Sequence, residues 1–417
     1  MTTATAERAP QKSYADVGLI TLGHVFTHWY PATFYLLLPL IGNELGLSYA
    51  QIGSVVAAQF AFGAISNIPG GLLVDSVGRK GLLMGISLFW IGIPYLLMGF
   101  SNAYWLLLAC ASLVGMGNNL WHPTAIPLLG NRYPDRRGLV MSVHSMGGNV
   151  GDAFAPLVAG ALLAYFSWRG VVMMNVLPGM LMAVVILIYF ARPQPGDELA
   201  HGQRAATSPA DMLRMVRTLL RNRTVTMLSI GSAFRTMTQS ALLTFLPVYL
   251  ANQMAYSVFW IGACMFALQA AGFAAAPIAG HLSDTMGRRQ IIMSSMLMSA
   301  VVLLFMAFAG KSPAFVFFIA LLGFFLFAIR AVLQAWLLDA TPREMGGTAI
   351  GILFGTQAIG AAIGPLLGGL IADRYGLIAA FYFLAFTVVV ANVFVFFTPI
   401  PERAKPRDEV TGVTTPS

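Results

Sequence analysis

The sequence predicts an all-α integral membrane protein whose twelve transmembrane helices form two pseudo-symmetric six-helix halves. Three observations lead to this prediction: the composition, the number of apolar segments and an internal repeat. Hydrophobic residues make up 58% of the 417 residues and charged residues only 10%, whereas a soluble domain has about 25% charged residues. We therefore expect the chain to lie in a lipid bilayer.

Twelve apolar segments are long enough to cross the hydrocarbon core of a bilayer, which takes roughly 20 helical residues. The first six are placed at residues 15–41, 50–74, 82–100, 104–130, 138–165 and 170–191. The second six are placed at 224–250, 258–282, 290–309, 313–339, 346–372 and 376–399. An even number of spans leaves both termini on the same side of the membrane.

The basic residues predict which side that is. Of the 24 Lys and Arg residues, nineteen lie in the termini or in loops on the same side, and only Arg169, Lys311 and Arg374 lie in loops on the other side. Cytoplasmic loops of membrane proteins are rich in Lys and Arg. Both termini are therefore expected in the cytoplasm, with the chain in the cell (inner) membrane. The net charge of +8 follows from this asymmetry and does not indicate a nucleic-acid partner.

A ten-residue segment between spans 2 and 3 recurs between spans 8 and 9 at a shift of 209 residues. The first copy is Gly-Leu-Leu-Val-Asp-Ser-Val-Gly-Arg-Lys at 71–80, and the second is Gly-His-Leu-Ser-Asp-Thr-Met-Gly-Arg-Arg at 280–289. Repeated halves of this kind are typical of secondary transporters. The positions that match are Gly71, Asp75, Gly78, Arg79 and Lys80 in the first copy and Gly280, Asp284, Gly287, Arg288 and Arg289 in the second.

The repeat also predicts the domain organisation. An N-terminal half covers residues 1–191, a cytoplasmic linker with an amphipathic helix covers 192–223, and a C-terminal half covers 224–399. Residues 400–417 are expected to form a polar cytoplasmic tail.

The repeated segment resembles the loop motif between helices 2 and 3 of the major facilitator superfamily, which those proteins repeat between helices 8 and 9. The resemblance implies a secondary transporter that works by alternating access. It also implies that the two loops, with Asp75 and Asp284, form a gating motif that holds the cytoplasmic ends of the halves together in the outward-facing state.

Two further segments resemble the fosmidomycin-resistance efflux family. They are Gly-Met-Gly-Asn-Asn-Leu-Trp-His-Pro at 115–123 in span 4 and Gly-Gly-Asn-Val-Gly-Asp-Ala-Phe-Ala-Pro at 147–156 in span 5. This resemblance implies proton-coupled efflux of a drug-like compound, as in multidrug resistance. The chain departs from the family at His28, where those proteins have aspartate, and at Asp152, where they have serine.

Polar residues inside the spans are the candidates for the transport site, because ionisable side chains in a membrane are tolerated only where they face a partner or water. They concentrate in the first helix of each three-helix unit, so this helix is expected to line a cavity while the third faces lipid. The substrate-binding candidates are His24, His28, Asn119, Trp121, His122, Arg235, Gln239, Arg330, Gln334 and Gln357.

Asp152 is the sole carboxylate near the middle of a span. Burial favours its neutral form, whereas a nearby arginine favours the carboxylate. It is therefore either a proton carrier or a structural salt-bridge partner. The candidates for proton coupling are Asp152, His24, His28 and His144.

Arg235 and Arg330 are permanently charged, yet no acidic residue lies in the middle of a span in the C-terminal half. Either they pair with Asp152 across the cavity, or they bind an anionic substrate through paired hydrogen bonds.

No metal and no cofactor are predicted. His24 and His28 share one helical face, but Val25 stands where the helix of a zinc protease has its glutamate. An intramembrane enzyme is not expected, because the sequence has no nucleophile and base at a suitable spacing. We expect a monomeric, proton-coupled exporter (antiporter) of a small anionic or drug-like compound. The alternative is a symporter that imports an organic or phosphorylated anion, because the fold does not determine the direction of transport.

Overall fold

A computed structural model describes residues 14–77, 79–191, 209–309, 312, 314–342 and 345–399 of the protein. Within these ranges the secondary structure is entirely helical, with no β-strand. Each long helix agrees with a predicted span to within four residues at both ends.

Six long helices form the N-terminal half. They are α1 (Ala15–Leu45), α2 (Tyr49–Val77), α3 (Lys80–Met98), α4 (Tyr104–Arg132), α5 (Arg137–Leu162) and α6 (Trp168–Tyr189), with one 3-10 turn at Pro134–Arg136 before α5. The shortest, α3, has 19 residues and so spans about 28 Å at a rise of about 1.5 Å per residue.

Eight further helices follow: α7 (Pro209–Arg221), α8 (Arg223–Asn252), α9 (Val258–Met286), α10 (Arg288–Ala309), α11 (Ala314–Ala328), α12 (Arg330–Asp339), α13 (Gly346–Tyr375) and α14 (Leu377–Phe396). α11 and α12 form a single span that is interrupted at Ile329, whose ψ is −3° instead of about −42° in a regular helix. No Pro or Gly lies next to this break, so the sequence predicted one unbroken helix.

The predicted amphipathic linker helix is present as α7. Its apolar side chains Met212, Leu213 and Leu220 are exposed, whereas Leu219 is buried. An exposed apolar face on a short, charged helix fits the surface of a bilayer.

Seven helical segments in the described part of the chain are long and apolar enough to cross a membrane by length and composition. They are α3, α6, α9, α10, the α11–α12 span, α13 and α14. The main contacts of α3, α6, α10 and α14 are all within their own half. Their outward-facing side chains, such as Trp90, Leu181, Phe305 and Phe386, are exposed and apolar. These four helices therefore present a surface that suits lipid, as expected.

The two halves meet along two helix pairs, α2 with α13 and α5 with α9. In both pairs the backbones approach so closely that only glycine fits. A Cβ atom on Gly53 would lie 2.0 Å from the carbonyl oxygen of Pro365, and one on Gly262 would lie 2.4 Å from that of Pro156. Both the glycines (53 and 262) and the prolines (156 and 365) are separated by 209 residues, the shift of the repeated loop segment.

A second pair of contacts obeys the same rule. Gly160 packs on the backbone carbonyl of Val258, and Gly369 packs on that of Tyr49. The shifts from 160 to 369 and from 49 to 258 are again 209 residues. The repeat therefore extends from the loop sequences to the helix packing, and the two halves are related by a pseudo-two-fold axis.

All of these contacts lie at the end of the molecule away from the chain termini. The Asn43 and Asn252 side chains are hydrogen-bonded there, at 3.1 Å. The carboxylate of Asp373 accepts hydrogen bonds from the backbone N–H groups of Tyr49 (2.8 Å) and Ala50 (2.9 Å) at the start of α2. The halves are thus closed against each other at this end.

At the end that carries the termini, no glycine of the described structure packs on the opposite half. Cβ atoms on Gly347, Gly351 and Gly355, in the first part of α13, would meet no atom within 4 Å. The space between the halves therefore opens towards the side of the termini.

Candidate functional site

Four histidines from three helices form one cluster in the N-terminal half. His24 of α1 is at its centre, with ring centroids 4.8 Å from His28 on the same helix, 4.9 Å from His122 of α4 and 4.1 Å from His144 of α5. The His24 and His144 rings are stacked, with 12° between their planes. The sequence identified each of these residues as a candidate, and the structure brings all four together.

Hydrogen bonds fix the orientation of the His24 ring. Its Nδ1 lies 2.7 Å from the backbone carbonyl oxygen of His144. Because a carbonyl can only accept, Nδ1 carries the proton, and Nε2 of the neutral ring has a free lone pair. This Nε2 lies 3.1 Å from Nε2 of His122. His24 is only 4% exposed, so this arrangement is shielded from water.

Asp152 of α5 pairs with His28. Its carboxylate lies 3.0 Å from Nδ1 of His28, and the two side chains are 31% and 22% exposed, respectively. Asp152 was expected either to carry a proton or to pair with an arginine or histidine. In this conformation its partner is the histidine. Pairing with an arginine across the cavity, one of the two alternatives left open by the sequence, is not formed within the described residues.

The glycines of α5 provide the room for these rings. A Cβ atom on Gly148 would lie 2.9 Å from Cε1 of His24 and 3.0 Å from Nε2 of His28, and one on Gly151 would lie 2.9 Å from Cβ of His28. The glycine-rich segment of span 5 was interpreted from its family resemblance. Its physical role is to let α5 lie directly against the histidines of α1.

Arg235 and Arg330 lie on the facing side, in the C-terminal half. Arg235 of α8 is 2% exposed and donates through Nη1 to Oε1 of Gln239 (3.0 Å) and to the carbonyl oxygen of Leu326 (3.2 Å). Its Nε has no hydrogen-bond partner among the described residues. Neither arginine forms an ion pair with any other described residue.

Arg330 connects the two sides of the central space. It is the first residue of α12, directly after the break at Ile329, and its side chain is exposed. Its charge lies within electrostatic range of both Arg235 and His122. Arg330 therefore lies near both the histidine cluster and Arg235, at the boundary between the halves.

The remaining predicted substrate-binding residues fall into three groups. Gln239, Gln334 and Gln357 are partly buried, and Gln357 donates to the hydroxyl of Ser232 (2.6 Å). The side chain of Asn119 lies outside the described residues. Trp121 does not face the central space. It is completely buried in the core of the N-terminal half, where its ring fills the space beside Gly23, because it points about 100° away from its neighbour His122 around the helix.

Three arginines of the repeated loop motif contact their own half. Arg79 donates to the carbonyl oxygen of Ala191 (2.9 Å) after α6, and Arg289 donates to that of Phe396 at the end of α14. Such carbonyls at helix C-termini have no partner within the helix. Arg288 pairs with Asp339 (2.5 Å) and Asp284 (3.3 Å).

Glycine is required at one turn of this motif, because Gly287 has a φ of +100°. Lys80 is buried, and a Cβ on Gly280 would meet no atom within 4 Å. The surroundings of Gly71, the side chain of Asp75 and the whole of Gly78 lie outside the described residues. The role of the motif in holding a closed gate remains a prediction about the conformation in which this end is shut.

Sequence reasoning missed one buried ionic cluster. Asp16 at the start of α1 is 1% exposed and lies 2.9 Å from Nε of Arg132 at the end of α4, and it also accepts a hydrogen bond from the hydroxyl of Tyr133. The sequence does contain a signal for this cluster, because an acid and a base stand at the ends of two spans on the same side of the membrane.

Comparisons with known proteins show the family and the fold. A family model described as "Major Facilitator Superfamily" matches residues 20–284 and 228–416. The chain is 25% identical to the Fosmidomycin resistance protein of Escherichia coli (strain K12) over 404 residues, which cover 94% of this chain and 95% of that protein. It is 26% identical to the Hexuronate transporter of Bacillus subtilis (strain 168) over 364 residues, 83% and 85% of the two chains.

A solved structure has the same fold. It is the crystal structure of a bacterial homologue of the human lysosomal transporter Spinster, in an inward-facing and unoccupied conformation. The TM-score is 0.79 at 18% identity, with 94% of this chain and 98% of that chain covered.

Proposed function

The chain belongs to the Major Facilitator Superfamily, and from this premise we propose that it exports a small anionic or drug-like compound in exchange for protons. The observation that carries the proposal is the pair of arginines in the central space. Two permanent positive charges lie there without an acidic partner among the described residues. Arg235 is buried, and a buried charge needs compensation, which an anionic substrate supplies. Arg330 is exposed and adds a second positive charge beside it.

The surroundings of Arg235 suit its guanidinium for binding an anionic group of the substrate. Gln239 and the carbonyl of Leu326 hold its Nη1, which fixes the plane of the guanidinium, while Nε is left without a partner in the described structure. A planar guanidinium with free N–H groups binds a carboxylate or phosphate through two parallel hydrogen bonds. Arg330 supplies a second charge at the exposed end of the same site.

Proton coupling is assigned to the Asp152–His28 pair. Gain or loss of one proton changes the charge of this pair by one unit, in the same space that Arg235 and Arg330 face. His24 contacts His28 edge to face at 4.8 Å and would sense that change. We place the termini in the cytoplasm because nineteen basic residues lie on that side, so the open end of the structure faces the cytoplasm.

The experiment uses purified protein in lipid vesicles with an imposed pH gradient, after a growth-inhibition and metabolite screen of a deletion strain has supplied a substrate. An antiporter accumulates the substrate when the vesicle lumen is acidic, and a symporter does so when the outside is acidic. Both signs are independent of the orientation of the protein. Uptake that ignores the pH gradient would overturn proton coupling.

A second candidate function is the import of an organic or phosphorylated anion together with protons. The charges favour it, because a proton added to the Asp152–His28 pair makes the central space more positive and so strengthens the binding of an anion. The two functions differ in whether proton binding strengthens or weakens substrate binding. If the substrate binds more tightly to purified protein at low pH, the symporter is favoured, and if it binds more weakly, the exporter is favoured.

A further inference from the structure

We propose that His24, His28 and His122 bind one divalent transition-metal ion, with Zn²⁺ as the reference ion, on the N-terminal side of the central space. The nitrogen atoms that these three rings offer all lie within 4.8 Å of one another. In a tetrahedral site with Zn–N bonds of about 2.0–2.1 Å, ligand nitrogens are about 3.3 Å apart. The Nε2 atoms of His24 and His122 already meet this requirement at 3.1 Å.

The surroundings of the rings give a second, independent reason. A metal-bound histidine usually donates its other N–H to a backbone carbonyl or a carboxylate, which fixes the ring and its tautomer. His24 has such a partner in the carbonyl of His144, and His28 has one in the carboxylate of Asp152. In both rings Nδ1 is engaged, so Nε2 carries the lone pair that can bind an ion.

The donor set determines the class of ion. Three imidazole nitrogens without thiolates suit Zn²⁺, Co²⁺, Ni²⁺ or Cu²⁺, whereas Mg²⁺ and Ca²⁺ require oxygen ligands. Three protein ligands leave a fourth coordination position for a solvent molecule or a solute. His122 and His28 are partly exposed, so an ion can enter from the central space. Arg330 lies within electrostatic range of His122, so the fourth ligand is expected to be an anion.

This inference replaces the expectation of no metal site. That expectation rested on the His24–His28 pair alone, because a sequence pattern shows only ligands within one helix. The third ligand comes from α4, 98 positions further along the chain from His24. The metal site adds a ligand to the transport site of the proposed function, but it does not depend on the direction of transport or on the identity of the substrate.

The test is metal binding to full-length, tag-free protein in detergent, without substrate or pH gradient. Co²⁺ binding is followed by its visible absorption, and Zn²⁺ binding by competition with a chromophoric chelator. We expect one ion per chain. His24→Ala and His122→Ala should each weaken binding by at least ~100-fold, and Asp152→Asn should weaken it by about 10-fold because His28 loses its partner.

His144→Ala is the matched control, because it removes the fourth ring of the cluster but keeps the backbone carbonyl that holds His24. It should stay within about 3-fold of wild type, well below the loss of a ligand. His281→Ala, remote in the loop motif, should have no effect. Equal binding by His24→Ala, His122→Ala and wild type would overturn the proposal, as would absence of saturable binding with one ion per chain.

A measurement on the wild-type protein covers the case in which a variant does not fold. Diethyl pyrocarbonate modifies accessible imidazoles, and mass spectrometry reports each site. Zn²⁺ should protect His28 and His122 but not His281, and equal protection of all three or of none would contradict a specific site. Transport is measured in separate assays with and without a chelator. Failure of metal binding therefore leaves the transport proposal intact, and failure of transport leaves the metal proposal intact.

Discussion

The two halves of the molecule have the same backbone packing but different side-chain chemistry at the centre. In the N-terminal half, Gly115 packs on the carbonyl oxygen of Gln59, and in the C-terminal half Gly323 packs on that of Leu268. The shift from 59 to 268 is 209 residues, and that from 115 to 323 is 208. At the shift of 208, His122 corresponds to Arg330, so equivalent positions carry an imidazole in one half and a guanidinium in the other.

This difference shows which part of the repeat is constrained. Glycine against a backbone carbonyl recurs because any side chain there would push two helices apart, whereas the side chains that face the central space are free to diverge. An imidazole has a neutral and a charged form, whereas a guanidinium is always charged. One half thus provides a variable charge and the other a fixed one.

Removing the fixed charge should have the largest effect. Arg235→Gln and Arg330→Gln should each weaken the binding of an anionic substrate about 10- to 100-fold, because each loses a charged hydrogen bond that contributes about 1.5–3 kcal/mol. Arg235→Lys and Arg330→Lys should restore substrate binding only poorly, since lysine lacks the planar guanidinium that forms two parallel hydrogen bonds. Binding to purified protein and uptake into vesicles are the measurements. Arg374→Gln, at the far end of α13, is the control, and wild-type transport by the double Gln variant would contradict the comparison.

Removing the variable charge should uncouple transport without abolishing it. In Asp152→Asn, the His28 pair can no longer alternate between charge states as before. We expect substrate counterflow between compartments to persist while accumulation driven by a pH gradient is lost. Both assays use the same reconstituted vesicles. If Asp152→Asn still accumulates substrate with a normal pH dependence, the aspartate is a structural partner, and His24, His28, His122 and His144 become the next candidates.

The shared backbone packing is tested by symmetric substitutions. Gly53→Ala and Gly262→Ala place a Cβ at 2.0 and 2.4 Å from a carbonyl oxygen, and overpacking of this kind costs about 1–3 kcal/mol. Both should open the closed end to a similar extent. Labelling of Asn43→Cys by a membrane-impermeant reagent, with Cys110 and Cys264 replaced, reports the opening. Gly347→Ala, whose Cβ meets no atom, should leave labelling unchanged, and unequal effects of the first two would break the symmetry.

The smallest effect is expected where the two interfaces differ. Asp373 caps the start of α2, but its equivalent across the repeat (373 − 209 = 164) is Ala164, which has no capping group. Loss of a helix cap costs about 1 kcal/mol, so Asp373→Ala should raise the labelling of Asn43→Cys by about 5-fold. If an aspartate at the equivalent position also caps the facing helix, Ala164→Asp should lower the labelling of Asn43→Cys. A rise in labelling would show that the two interfaces are not equivalent.

The spans and the two halves were predictable from the sequence because they depend on composition and on a repeat, both of which are properties of the chain alone. The break at Ile329 was not, because no Pro or Gly marks it. The site was predictable only as separate residues. His24 and His28 share a helical face by spacing, but the rotation of α4 that brings His122 to them and turns Trp121 into the core depends on packing. The same holds for the contact between Asp16 and Arg132.

The four glycine contacts between the halves also bear on how such a chain can arise. Each half supplies a glycine to one contact and a proline carbonyl to its symmetric counterpart: Gly53 and Pro156 come from the N-terminal half, and Gly262 and Pro365 come from the C-terminal half. An interface in which one surface meets its own copy is isologous, as in a homodimer. A homodimer, however, must place identical residues on both sides of its axis. Fusion of two copies into one polypeptide removes that restriction, and only then can equivalent positions carry a histidine in one half and an arginine in the other.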